Sequence, residues 1–320
     1  MRRYDVLVIG EINVDLILRA DEITPVFGQE KLVDDCELTM GSSSVIAACG
    51  MARLGLRTGF FGRVGDDEFG RFMLREMAAR GIDVSPVIVD GGVKTGITVS
   101  LSTPRDRAML THLGGSIDGL EANDVPLDLL EQTRHVHVGS FFLQARLQPG
   151  LADLFAQAHA RGATTSLDVG WDVHERWDGG LWDALAHTDV FLPNEVEATH
   201  ITGLEDVEAA LERLAGRVGT VAVKLGAQGA IARRGDEVAR APVLPVSVVD
   251  TTGAGDSFNA GFIYGFLHGW PLDLVLRLGT ACGSLSTTKA GGTAGQPTLE
   301  EALSALRAVG VDLSAVRIKG

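Results

Sequence analysis

The chain has 320 residues, which at roughly 100–200 residues per domain allows one large domain or two unequal ones. Its 28 lysines and arginines stand against 42 aspartates and glutamates, a formal net charge of −14. That balance excludes a broad basic surface for nucleic acid or an acidic membrane. So acidic a protein repels phosphate at long range, and a phosphorylated ligand must be held by local backbone N–H groups, a helix terminus or a metal ion. Three cysteines, Cys36, Cys49 and Cys282, lie far apart with no C-x-x-C pair, so neither a disulfide framework nor a thiolate zinc site is expected. The opening apolar run is too short for a signal segment, and charge or Ser, Thr and Gly clusters interrupt every longer one. A soluble, cytoplasmic protein is the expectation.

In chain order, Val6–Ile9 closes on Gly10 and reads as a strand buried on both faces. Ile12–Leu18 and Lys31–Thr39 alternate apolar and polar residues, the mark of antiparallel strands with one wet face. Asp66 is placed to cap a helix whose Phe69, Phe72, Met73 and Met77 share a face and which stops at Gly81. Thr95–Leu101 and Arg107–Leu113 alternate again. Short apolar strands then recur at Val136–Val138, Thr164–Leu167, Val190–Leu192 and Val221–Leu225, separated by helical patterns. Such alternation predicts an α/β fold, a doubly wound, mostly parallel sheet flanked by helices. The expected core comprises residues 1–10, 41–93 and 114–320. Residues 11–40 and 94–113 form a small inserted antiparallel β-sheet, joined closely because no linker or repeat intervenes.

The segment Asp250-Thr251-Thr252-Gly253-Ala254-Gly255-Asp256-Ser257-Phe258 carries the most chemistry. Phe258, Phe262 and Phe266 follow at helical spacing, so a buried helix starts near Gly255. Small residues at Gly253, Ala254 and Gly255 let a ligand approach the backbone, and the first N–H groups make an anion hole. Asp256 falls in the first turn, where the macrodipole favours its ionised form, and a carboxylate there can accept a hydroxyl proton. The plainer reading is an N-cap Asp after a Gly-rich turn.

This segment resembles the second signature of the ribokinase (PfkB) family of carbohydrate kinases, D-T-x-G-A-G-D. Further matches run in family order: Gly10–Asp15, Gly41–Gly55, Gly62–Gly70, Asn194–Glu197 and Lys224–Gly229. The resemblance implies a β lid over the substrate site, ATP and Mg²⁺ as cofactors, and transfer of phosphate to a sugar-like or nucleoside hydroxyl. It implies that Asp256 is the base and Gly253-Ala254-Gly255 the anion hole. Asn13, Asp15, Gly41, Ser42, Ser43 and Ile46 would face the acceptor. Asn194, Lys224, Gly226 and Gly229 would face the nucleotide, and Asn194 with Glu197 would hold Mg²⁺ partly through waters. Asp250, Thr252 and the 289–292 stretch would hold a monovalent cation such as K⁺. A homodimer through the lid belongs to the same expectation.

Two departures bear on the acceptor. Ser42 and Ile46 stand where the family's first signature carries Gly and Asn, so Ile46 is read as an apolar wall, with Ser42, Ser43 and Ser44 supplying the lost polarity. Asp168-Val169-Gly170-Trp171-Asp172 replaces D-x-N-x-R and lacks the Arg that pairs with a sugar acid's carboxylate. Val221–Lys224 imitates a protein-kinase lysine strand, but no H-R-D or D-F-G follows; P-loop and dinucleotide fingerprints are also missing. His135 and His137 share a strand face without a third ligand and read as hydrogen-bonded structural residues. Trp171 and Trp177 fit either a ligand ring or the packing of the rim. A nucleoside kinase and a catalytically silent binder are the rival functions; intact Asp256 and Glu197 weigh against the second.

Overall fold

A computed structural model describes residues 2–316. Eight strands form the main sheet: β1 (Tyr4–Ile9), β4 (Thr58–Phe61), β9 (Thr133–Val138), β10 (Thr164–Leu167), β11 (Val190–Phe191), β12 (Thr220–Lys224), β13 (Ala230–Arg234) and β14 (Glu237–Ala241). Their order is β14-β13-β12-β11-β10-β9-β1-β4, parallel from β12 to β4, with β13 and β14 antiparallel at one edge. Alternation within each buried strand explains why helices cover both sides. Val6 and Val8 join one apolar cluster with Met73 and Phe262, whereas Leu7 and Ile9 join another with Phe141 and Phe155. Phe191, Val221 and Val223 continue the second cluster; Val190, Leu192 and Ala222 continue the first.

The chain leaves β1 for β4 on one side and returns to β9 on the other, making a switch point at the carboxyl ends of β1 and β9. Here the helix Ser43–Arg53 inserts Ser44 between Gly10 and Gly139. The helix Ala254–Leu267 lies beside it, buried along most of its length, with Gly50 against Ala260.

A second sheet, ordered β3-β2-β7-β8, joins β2 (Asn13–Arg19), β3 (Asp35–Met40), β7 (Gly96–Ser102) and β8 (Arg107–His112). The expected antiparallel pairing holds for β2 with β3 and β7 with β8, but β2 and β7 run parallel. Both hairpins leave the core in the same direction, and period-two patterning alone does not distinguish the two senses. Leu16 lies opposite Leu38 and Val99, and Val99 opposite Leu110, giving the sheet one apolar face. Its other face carries Asp15, Thr98, Ser100, Thr111 and Arg107.

Two further details differ from the sequence reading. Asp67, not Asp66, caps the helix Glu68–Ala79 by accepting Gly70 N–H at 2.8 Å. A small parallel pair, β5 (Arg63–Gly65) with β6 (Ile88–Asp90), was masked by its brevity. Among the described residues no helix is long and apolar enough to cross a membrane.

Candidate active site

Asp168, Asn194 and Lys224 end or follow β10, β11 and β12, so the parallel sheet delivers them to one rim. Lys224 Nζ donates to Asp168 Oδ2 at 2.6 Å and to Asn259 Oδ1 at 3.3 Å, while Asn259 Nδ2 donates to Asp168 Oδ2 at 2.6 Å. Burial works against both charges, yet the pair holds the Asp168 carboxyl low and the Lys224 ammonium high. Neither Asp168 nor Asn259 was singled out from sequence for this role. The available signal was Asp168's place just beyond the carboxyl end of a parallel strand.

Asp256 lies where two helix N-termini meet. Its own helix opens after Gly253, whose φ of +71° is left-handed and whose added Cβ would come 2.9 Å from Gly292 Cα and Ile46 Cγ2. Only glycine fits there. The other helix begins at Ser43, after Ser42 at φ +72°. Burial, then the charges of Asp168 and Glu11, push the Asp256 carboxyl well above its ordinary range; Lys224 and the Ser43 hydroxyl oppose this. The expected ionising effect of the helix terminus is therefore outweighed by burial and the neighbouring carboxylates.

Glu11, unnoticed in sequence, organises the floor. Its carboxylate accepts from Ser44 N at 3.1 Å and from Ser42 Oγ and Ser140 Oγ at 3.0 Å each, and also from Ser44 Oγ. Ser42 and Ser44 are thus turned inward to a buried carboxylate, which corrects their expected role toward an acceptor. Ile46 is 4 % exposed and packs beneath Gly253 and Gly292, so it underlies the 253–255 turn instead of walling an open pocket. Asn13 Nδ2 donates to Asp15 Oδ1 at 3.0 Å, and Gly41 gives both room, since a Cβ there would come 2.1 Å from Asp15 Oδ1. Burial raises the Asp15 carboxyl to about 6 against the pull of Arg107 and Asn13.

A cavity of about 480 Å³ runs alongside, lined by Lys224, Gly226, Gly229, Val246, Gly255 and Phe258 among others. A profile of the pfkB family of carbohydrate kinases matches residues 3–299. The chain belongs to that family. It is 31 % identical to a 5-dehydro-2-deoxygluconokinase of Geobacillus thermodenitrificans over 93 % of this chain and 91 % of the relative. A fructokinase of Klebsiella pneumoniae is 34 % identical over 80 % of this chain and 88 % of its own length. A ribokinase-II-type protein of E. coli, solved in complex with ATP and Mg²⁺, superposes with a TM-score of 0.84, 26 % identity and coverage of 95 % and 99 %. This protein is accordingly a carbohydrate kinase on a ribokinase-like fold.

In this pfkB kinase Asn194 and Glu197 form a reciprocal cap: Glu197 N donates to Asn194 Oδ1 at 2.9 Å and Asn194 N to Glu197 Oε2 at 2.8 Å. Burial and Asp168 raise the Glu197 carboxyl to about 7. Lys224 bonds Asp168 and acts on Glu197 only through its charge, so Asn194 and Glu197 offer hard oxygen donors of the kind that suit Mg²⁺. Asp250 accepts from Thr252 N at 2.9 Å, Thr252 Oγ1 at 2.7 Å and Gly291 N at 2.9 Å, so the two loops named for a monovalent cation do meet. His135 and His137 both reach Ser166 Oγ, at 2.7 and 2.8 Å, and burial lowers both imidazoles. Trp177 stacks on His200 at 4.8 Å and is buried; Trp171 meets it edge-on at 5.0 Å.

Proposed function

We propose that this carbohydrate kinase transfers the γ-phosphoryl group of ATP to a hydroxymethyl group of a sugar-like acceptor, with Asp256 as base. The reading rests on the convergence of two helix N-termini on one carboxylate, between a nucleotide-sized cavity and the polar face of the small sheet. Residues 11–40 and 94–113 act as the lid, and the rest of the chain as the nucleotide-binding core. ATP occupies the cavity beside Lys224, Gly226 and Gly229, with its phosphates on the N–H groups at Gly253, Ala254 and Gly255. Asn13, Asp15, Gly41 and Ser43 orient the acceptor from the opposite side. Asp256 takes the hydroxyl proton as the oxygen attacks.

Asn194 and Glu197 hold Mg²⁺ partly through waters, and bound Mg²⁺ supplies charge neutralisation at the phosphate oxygens. Asp250, Thr252 and residues 289–292 hold a monovalent cation that stiffens the anion-hole loop; equal rates in potassium and tetramethylammonium buffers would remove it. The exposed outer face of the lid, including Leu38 and Leu110, supports a homodimer, checked by sedimentation.

The main test is a panel of pentoses, hexoses, keto-sugars, sugar acids and nucleosides offered with ATP and Mg²⁺. Names of relatives place 5-dehydro-2-deoxygluconate and fructose early on that panel. Phosphorylation of a sugar supports the reading; phosphorylation of nucleosides alone, or of nothing, overturns it.

A further inference from the structure

A second cavity, of about 480 Å³, lies where the carboxyl ends of the helices Ser43–Arg53 and Glu68–Ala79 meet the 293–298 segment, and it shares no residue with the site proposed above. Cys49, Ala52 and Ala79 give it apolar walls, and its polar groups are only partly engaged. Arg53 makes no hydrogen bond among the described residues; its ion partner, Glu301 Oε2, stands 3.9 Å away and is taken by Thr298 N at 2.7 Å and Thr298 Oγ1 at 3.0 Å. Arg80 donates from Nη1 to Glu76, to the carbonyl at 2.9 Å and the carboxylate at 3.0 Å, while its Nε and Nη2 bond to no described residue. The same holds for the Thr293 hydroxyl and for Gln296 Oε1, on a side chain only 6 % exposed.

These groups define a ligand by its chemistry. In a protein of net charge −14, two guanidiniums with free N–H groups on one cavity select an anion, and their forks match phosphate oxygens. Gln296 Oε1 can only accept, so the ligand must also donate, from a hydroxyl or an N–H. No aromatic ring lines the cavity, which leaves a nucleotide base nothing to stack on. The volume suits one small ring with its substituents. A sugar monophosphate meets all of these conditions.

Gln296 also connects the cavity to the proposed transfer point. Its Nε2 donates to Ile46 O at 2.8 Å and to Ser257 Oγ at 3.1 Å. Ile46 lies beneath Gly253 and Ser257 follows Asp256, so one amide ties together the two helices whose N-termini meet at Asp256. We propose that this cavity is an effector site for a sugar monophosphate. Arg53 and Arg80 bind the phosphate, Thr293 adds a hydroxyl, and Gln296 Oε1 accepts from the sugar. A ligand so held keeps the Gln296 amide on Ile46 and Ser257, the arrangement that shapes the 253–255 turn. Occupancy thereby raises the affinity for nucleotide, and bound nucleotide raises the affinity for the sugar phosphate by the same factor.

Calorimetric titration of the full chain with fructose 6-phosphate, ribose 5-phosphate and inorganic phosphate tests this, each alone and with a non-hydrolysable ATP analogue and Mg²⁺. At least one sugar phosphate binds, and inorganic phosphate binds about tenfold more weakly or less, having no ring to fill the cavity. The double variant Arg53→Gln/Arg80→Gln weakens the sugar phosphate about tenfold or more, and Thr293→Val by about two- to tenfold. Turnover of the panel acceptor without sugar phosphate stays within about twofold of wild type in both variants, since neither touches the kinase site. The analogue tightens sugar phosphate binding about fivefold. Binding of neither sugar phosphate, or equal binding of inorganic phosphate, overturns the site. Binding undiminished in the double variant overturns it too, because the ligand then sits in the acceptor site. Equal affinity with and without the analogue overturns the effector role. Heats of binding need no turnover, so this result is independent of whether the panel yields a substrate.

Discussion

The eight-stranded and four-stranded sheets of this protein bury their side chains in different ways. In the large sheet, successive residues of β1 and β12 enter apolar clusters on opposite faces, so each strand is clamped from both sides. In the small sheet, one face is polar and turned to the site, while the other is apolar and open, with Leu110 65 % exposed. Elements with few buried contacts open at lower free energy than core strands. The groups proposed for the transfer chemistry, Asp256, Glu197 and the 253–255 turn, therefore sit on the clamped sheet and its helices, and Asn13 and Asp15, proposed to meet the acceptor, sit on the looser one.

Breaking the clamped side has the larger effects. Asp256→Asn lowers kcat by about 10²–10⁴-fold, equivalent to roughly 3–5.5 kcal/mol, while ATP affinity stays within a few-fold. Steady-state rates beside calorimetric nucleotide binding check this; wild-type turnover by the variant would remove Asp256 as the base. Phe262→Ala, at a side chain with no exposure, destabilises the fold by about 3–5 kcal/mol in denaturant titration, whereas Leu110→Ser on the open lid face changes it by less than about 0.5 kcal/mol. Similar costs at the two positions would erase the contrast between the sheets.

Ile46 sharpens the boundary between the two regions. Ile46→Asn buries an amide beneath Gly253 and costs about 1–3 kcal/mol, seen as a lowered melting temperature without improved use of ribose. Better ribose kinetics at an unchanged melting temperature would place the side chain in reach of the acceptor after all. The smallest effect is a pH dependence. Burial and Asp168 push the Glu197 carboxyl up to about 7; as a proposed Mg²⁺ holder it must ionise, so the half-saturating Mg²⁺ concentration rises as pH falls, by about tenfold between pH 8 and 6. Glu197→Gln flattens that dependence, and a flat wild-type curve would take Glu197 out of the metal site.

Much of this division was legible in the sequence, because periodicity reports burial. Val6–Ile9 and Thr164–Leu167 read as strands buried on both faces, and the alternating segments read as a sheet with one wet face. The Gly253–Asp256 turn was legible because small residues ahead of an apolar helix have few other uses. Side-chain pairings across distant segments were not. Glu11 draws Ser42, Ser44 and Ser140 inward, and Lys224 turns to Asp168, through contacts between residues 31 to 129 positions apart. Ile46 looked like a ligand wall because its place under Gly253 depends on two helices meeting, which no local pattern records.

The parallel join of β2 to β7 has a consequence for how the molecule assembles. Each hairpin of the small sheet closes locally, Asn13–Arg19 with Asp35–Met40 and Gly96–Ser102 with Arg107–His112. Their union pairs Asn13 with Gly96 and Arg19 with Ser102, so it must await the approach of segments separated by a whole strand-and-helix unit of the core. Non-local pairings of this kind carry the greatest loop-closure entropy and form slowly. Asp15 and Arg107 lie on different hairpins, so they come into register only when the two hairpins zip together.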